Sequence, residues 1–226
     1  GEGYKTAEYE GYDVRVNAIA VLSGIADEEK YESLLSIIEN SYNNSTFMEK
    51  YILEAMSEIG EIEKVQNRIK TRYSDMIKNQ DYSTTLWEYW FNSSGSKNHA
   101  WTGGPLIIMS KYFAGIKPLE PGYSEILIKP DFGNLSKLNS KVNTVRGIIE
   151  MQAEKIDGNL NLKIDVPEKT LVAIEKLSDN CEIVINHKTV YKNGDFKKNK
   201  ISKFEKKDDK YVYVYLEKGK YNIVSR

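Results

Sequence analysis

A single carboxylate, Glu88, stands in a short window that holds all three tryptophans of the chain: Thr84-Thr85-Leu86-Trp87-Glu88-Tyr89-Trp90-Phe91, then Asn98-His99-Ala100-Trp101. An indole is a flat apolar surface that suits the C–H face of a pyranose. An acid held among such rings is placed to move a proton or to activate a water. His99 adds an imidazole that can both donate to and accept from sugar hydroxyls. The polar run Asn92-Ser93-Ser94-Gly95-Ser96 between the two aromatic groups reads as a mobile loop, so at least one of Trp87, Trp90 and Trp101 is expected to wall a cleft rather than fill the core.

Other chemistry is thin. No His, Cys, Asp or Glu set has metal-ligand spacing, no serine or cysteine has a plausible base beside it, and no glycine-rich phosphate loop is present, so neither a metal nor a cofactor is expected. His187 sits alone in a strand-like stretch and reads as a surface residue. Asp13 reads as a salt-bridge partner or helix cap.

The 226 residues carry 32 basic and 33 acidic side chains, a near-cancellation that points to neither nucleic acid nor a membrane surface. There is no basic-then-apolar leader pattern and no apolar run of spanning length. The chain starts abruptly at Gly1-Glu2-Gly3-Tyr4, which reads as loop, with the natural start placed elsewhere. Cys181 is the lone cysteine, so no disulfide framework exists and the compartment stays open.

Helical periodicity governs the chain up to about Gly115. Val14, Ala18, Val21, Leu22 and Ile25 predict one face of a first helix. Asp27 is positioned to cap a second, with Tyr31, Leu34, Leu35 and Ile38 as its apolar stripe. Thr46 and Glu49 have capping-box spacing for a third, with Tyr51, Ile52, Ala55, Met56 and Ile59 buried and Gly60 as its stop. Ile62, Val65, Ile69, Tyr73 and Met76 mark a fourth, and Pro105 opens a fifth over Leu106 to Phe113. That fifth helix is apolar on nearly every side, and the visible helices can enclose it only in part, as expected for the tail of a larger helical domain.

From Lys117 the period becomes two. Leu160, Leu162, Ile164 and Val166 alternate with polar neighbours, as do Val212, Val214 and Leu216, while Asp157-Gly158 and Asn193-Gly194 are tight-turn signals. Short, closely spaced strands predict an antiparallel sandwich. The lysine-rich stretch from Lys192 to Lys210 reads as a solvated loop with an edge strand.

Five blocks in order carry a family resemblance: Gly24 to Tyr31, Ser45 to Ala55, Thr84 to Glu88, Asn98 to Pro105, and Gly115 to Tyr123. They resemble consecutive segments of the bacterial α-L-rhamnosidases of glycoside hydrolase family 78. The resemblance is close over roughly the first two-thirds of the chain and loose beyond. It implies an α+β multidomain arrangement in which residues 1–116 are the last helices of an (α/α)6 barrel of helical hairpins and residues 117–226 are a C-terminal β-sandwich.

It further implies inverting glycoside hydrolysis with Glu88 as general base, and a substrate contact for His99. Trp87, Trp90 and Trp101 join it as candidate sugar-binding residues. Nothing here matches the family's general acid, which belongs to an earlier part of the barrel. The implied partners are therefore a rhamnose-containing oligosaccharide or glycoside and the missing N-terminal part of the same protein. The isolated chain is expected to be inactive. A non-catalytic carbohydrate-binding module and a structural or interface module are the alternatives. The exact sugar, linkage and aglycone are not legible.

Overall fold

The computed structural model describes residues 3–7, 10–78, 85–91 and 95–226. Thr84 and the Asn92-Ser93-Ser94 part of the predicted loop lie outside the described residues. The chain divides into two compact units, Gly1–Ile108 and Met109–Arg226.

The first unit is helical: α1 (Val14–Leu22), α2 (Tyr31–Glu39), α3 (Thr46–Ile59), α4 (Ile62–Arg72), α5 (Ser74–Lys78) and α6 (Gly104–Ile108). Asp13 is the N-cap of α1, accepting from the Arg15 amide at 2.8 Å and pairing with its guanidinium, as expected of a cap or salt bridge. Ile25 departs from expectation. It falls beyond α1 and is exposed, because the chain leaves the helix at Ser23 and turns through Gly24 at positive φ.

Asp27 precedes a short 3-10 turn, Glu28–Lys30, and makes no side-chain cap bond. Of the predicted stripe, Leu34, Leu35 and Ile38 are nonetheless buried, while Tyr31 is half-buried. The predicted fourth helix is two, α4 and α5, that meet at Tyr73, and all five of its marked residues are buried.

Helix α3 is the hub, packing against α1, α2, α4 and α6 through Ile52, Leu53, Ala55 and Met56, all sealed from solvent. Gly60 ends it in the left-handed region, as its position predicts. Its first turn differs from the predicted capping box. Ser45 is the N-cap, accepting from the Met48 amide, and Glu49 points inward to an ion pair. The predicted fifth helix is in part exposed: Ile108 is sealed, yet Leu106 is 74% exposed and Ile107 49%.

A π-helical turn, Met109–Phe113, opens the second unit and packs on its first and third strands, which is why the division falls at Ile108 rather than where the sequence period changes. The strands are β1 (Ile116–Pro118), β2 (Ile126–Ile128), β3 (Lys137–Thr144), β4 (Gly147–Ile156), β5 (Asn159–Val166) and β6 (Thr170–Glu175). Then follow β7 (Glu182–Ile185), β8 (Lys188–Lys192), β9 (Asp195–Phe196), β10 (Ser202–Lys207), β11 (Tyr211–Leu216) and β12 (Gly219–Ser225).

They form a five-stranded sheet ordered β1-β2-β6-β11-β10 and a seven-stranded sheet ordered β3-β4-β5-β12-β7-β8-β9. Pairing is antiparallel apart from β2 with β6. Leu160, Leu162, Ile164 and Val166 are all buried, so the two-residue period did mark an inward face.

Asp157-Gly158 and Asn193-Gly194 take positive φ at both positions and close the β4–β5 and β8–β9 hairpins, as the predicted turns require. Asn186-His187 does the same between β7 and β8, which places His187 on the surface. The lysine-rich β10 is an edge strand. Gly115, at φ +67°, lets the chain into β1, and a β-carbon there would meet the Lys129 carbonyl oxygen at 1.8 Å.

Candidate active site

Glu88 lies on an irregular segment whose main chain is gripped from several sides. Its carbonyl accepts from the Thr46 hydroxyl at the start of α3 and from the Trp101 indole N–H at 3.3 Å. The preceding carbonyl, of Trp87, accepts from the Thr102 hydroxyl at 2.6 Å. The Glu88 amide donates to the Ser96 carbonyl at 2.9 Å, and the His99 amide donates to the Leu86 carbonyl at 2.8 Å. The loop predicted to be mobile is thus pinned at Ser96.

The carboxylate is partly open, with its side chain 20% exposed. Its Oε2 accepts the Ser96 amide at 2.9 Å and lies 3.9 Å from His99 Nδ1. The Ser96 N–H, then the Tyr89 hydroxyl, hold Glu88 below the usual carboxylate range; partial burial opposes them and the nearby His99 adds to the lowering. At neutral pH the group is a carboxylate, an acceptor and a base.

The aromatic residues separate into three roles. Trp87 is 2% exposed and belongs to the core, so its ring offers no open face. Trp90 is half-buried: its N–H donates to the Asn44 carbonyl at 2.7 Å, its face carries the Arg72 guanidinium, and Tyr73 meets it edge-on at 5.3 Å. Trp101 is 41% exposed, and its N–H is bonded to the main-chain carbonyl of Glu88. The His99 ring lies 4.1 Å from the Trp101 ring and Phe47 5.7 Å, so three aromatic rings cluster near Glu88. His99 makes no side-chain bond to cap the turn that follows it, so its ring is left to the Glu88 side.

Behind this surface is a buried ion cluster that sequence reasoning missed. Arg68 Nε donates to Glu49 Oε1 at 2.7 Å, Arg68 Nη2 to Oε2 at 3.1 Å, and Asn44 Nδ2 to Oε2 at 2.8 Å. Arg68 and Arg72 also donate to the carbonyls of Ile38, Ser41, Tyr42 and Asn44. The cluster fixes the turn before α3, and the Asn44 carbonyl of that turn receives Trp90. Thr46, Thr102 and Ser96 were likewise unforeseen as supports of Glu88. Only the glycine at position 95, a turn signal, hinted that the chain folds back there.

The described residues thus form a helical unit that carries a carboxylate near aromatic rings, and a unit of two sheets. Residues 115–189 match the bacterial alpha-L-rhamnosidase C-terminal domain. An alpha-L-rhamnosidase of Formosa agariphila is 27% identical over 228 residues, covering 92% of this chain and 24% of that protein.

Two solved structures share the fold. The alpha-L-rhamnosidase from Dictyoglumus thermophilum has a TM-score of 0.82 at 20% identity, covering 100% of this chain and 26% of that one. The Streptomyces avermitilis alpha-L-rhamnosidase complexed with L-rhamnose has a TM-score of 0.80 at 14% identity, covering 100% and 22%. These findings agree with the resemblance read from the sequence: residues 115–189 are similar to the C-terminal domain of the bacterial α-L-rhamnosidases, and the chain shares its fold with part of two of them. It spans about a quarter of the length of the relatives it matches.

Proposed function

We propose that this chain supplies the general-base half of an inverting α-L-rhamnosidase, with Glu88 as the base and His99 and Trp101 as rhamnose contacts. The carrying observation is the setting of Glu88: a partly open carboxylate with an imidazole nitrogen 3.9 Å away, and an exposed indole next to that imidazole. Trp101 is the platform for the sugar's C–H face. Trp90 serves the site from behind, and Trp87 anchors the segment.

In the reaction, a water attacks the anomeric carbon as Glu88 takes its proton, while an acid across the sugar gives its proton to the departing oxygen. The two carboxyl groups must stand about 6.5–9.5 Å apart to admit that water. The acid is expected from a preceding part of a longer protein, and this chain alone is expected to hydrolyse nothing.

In that longer protein, Glu88→Gln should lower kcat on an aryl rhamnoside by about a hundredfold or more while rhamnose still binds, since the amide keeps the shape and loses the base. Unchanged turnover rejects the role, and so does hydrolysis by the isolated 226-residue chain at the rate of the longer protein.

The exposure of Leu106 and Ile107 favours a second use of this unit, as a surface on which preceding helices of the same protein dock. Light scattering should then find the isolated chain self-associated; a clean monomer opposes this use.

A further inference from the structure

Gly95 lies against the base more closely than any other residue type permits. Its φ is +77°, and a β-carbon there would sit 2.7 Å from both Cδ2 and Cε2 of Tyr89 and 3.0 Å from Oε2 of Glu88. Carbon atoms do not approach so closely, so any side chain at 95 must displace the Tyr89 ring, the Glu88 carboxylate or the turn itself. The next amide, Ser96 N–H, is the one that bonds Oε2, and the Ser96 carbonyl takes the Glu88 amide. Residues 88 and 96 are therefore tied twice, once through the main chain and once through the carboxylate.

The tie extends to the imidazole. The Ser96 hydroxyl donates to the Asn98 carbonyl at 3.1 Å and accepts the Asn98 amide at 3.3 Å, one residue before His99. Tyr89, packed on the glycine, keeps its hydroxyl within reach of the same carboxylate.

We propose that the Gly95-Ser96 turn, with Tyr89 packed on it, is a positioning clamp that aims the Glu88 carboxylate and sets its distance from His99. The proposal rests on the reading of Glu88 as general base. None of the three residues need touch substrate. The Ser96 amide occupies one carboxylate oxygen, so the carboxylate cannot rotate freely, and a base aimed in advance avoids the rate loss that small misplacements bring.

Both donors bond the ionised form. Removing one raises the pH at which Glu88 loses its charge, and the acid limb of the kcat/KM profile moves upward. The titratable groups that face Glu88 are His99, whose Nδ1 lies 3.9 Å from Oε2, and Tyr89.

The test uses the longer enzyme that carries this segment, assayed on an aryl rhamnoside. Gly95→Ala should lower kcat by about a hundredfold with a much smaller change in KM. Tyr89→Phe should lower kcat by roughly fivefold and move the acid limb to higher pH. Circular dichroism and thermal melting report folding. If Gly95→Ala fails to fold, Tyr89→Phe, which keeps the ring, decides by its acid limb. Normal kcat and an unmoved acid limb in the folded variants, with Glu88→Gln inactive, overturn the clamp and leave the base standing. An active Glu88→Gln removes the base itself.

Discussion

The guanidinium carbon of Arg72 lies 3.9 Å from the centre of the Trp90 ring, while the indole N–H on the same ring donates to the Asn44 carbonyl. Arg72 also bonds Asn44, at both its carbonyl and side-chain oxygens. Cation, ring and turn thus form a closed triangle. Arg72→Met should remove the stacked charge while keeping a comparable stem, costing about 1–2 kcal/mol of stability and shifting the tryptophan emission to the red as Trp90 loosens. An unshifted spectrum with an unchanged urea midpoint would show that the triangle holds nothing.

Glu49 is fully enclosed and Arg68 nearly so. Truncating one partner of such a pair leaves the other charge buried without compensation. Glu49→Ala is therefore expected to destabilise the helical unit by about 3–5 kcal/mol. Asp13→Ala, which removes a helix cap and a solvated pair, should cost about 1 kcal/mol. Chemical denaturation of the two variants side by side checks the ordering, and equal losses would contradict it.

Alkaline pH should weaken the sandwich. A hydrogen bond to Glu125 at 2.8 Å, with burial second, pushes Tyr215 up to about 12; burial, with a bond to Asp208 second, pushes Tyr213 up to about 12. Unfolded tyrosines ionise near pH 10 (about 10). Between these values the unfolded chain has released protons that the folded chain keeps, so the unfolded state gains. The stabilisation is whole below about pH 10 and is lost as pH rises to about 12. Urea midpoints across that range should fall. Tyr215→Phe should flatten the decline, and an equally steep decline in that variant would acquit Tyr215.

The sequence was most readable where a signal is local. Gly60, the Asp157-Gly158 and Asn193-Gly194 turns, and the inward face of β5 each depend on backbone conformation or on a two-residue period, and each stands where it was expected. Glu49 shows the limit. Three residues after a threonine, it has the spacing of a capping glutamate, but its partner Arg68 lies 19 residues on, and no periodicity announces that pairing. Asp27 fails as a cap for a related reason: the chain enters α2 through a 3-10 turn, which leaves the aspartate short of the helix's free amides.

In the candidate site, residue types suggested a chemistry but said nothing of exposure. Three identical indoles close in sequence end in core, support and surface, because neighbours distant in sequence decide which face each ring keeps. The grip of Thr46 on the Glu88 carbonyl spans 42 residues and was likewise beyond local reading.

That same grip ties chemistry to architecture. Since Thr46 begins the helix on which most of the first unit rests, the main chain at Glu88 is tethered directly to α3. If Glu88 is the base proposed above, heat should silence the longer enzyme and unravel these helices in a single event, and a sugar that steadies the segment would delay both together.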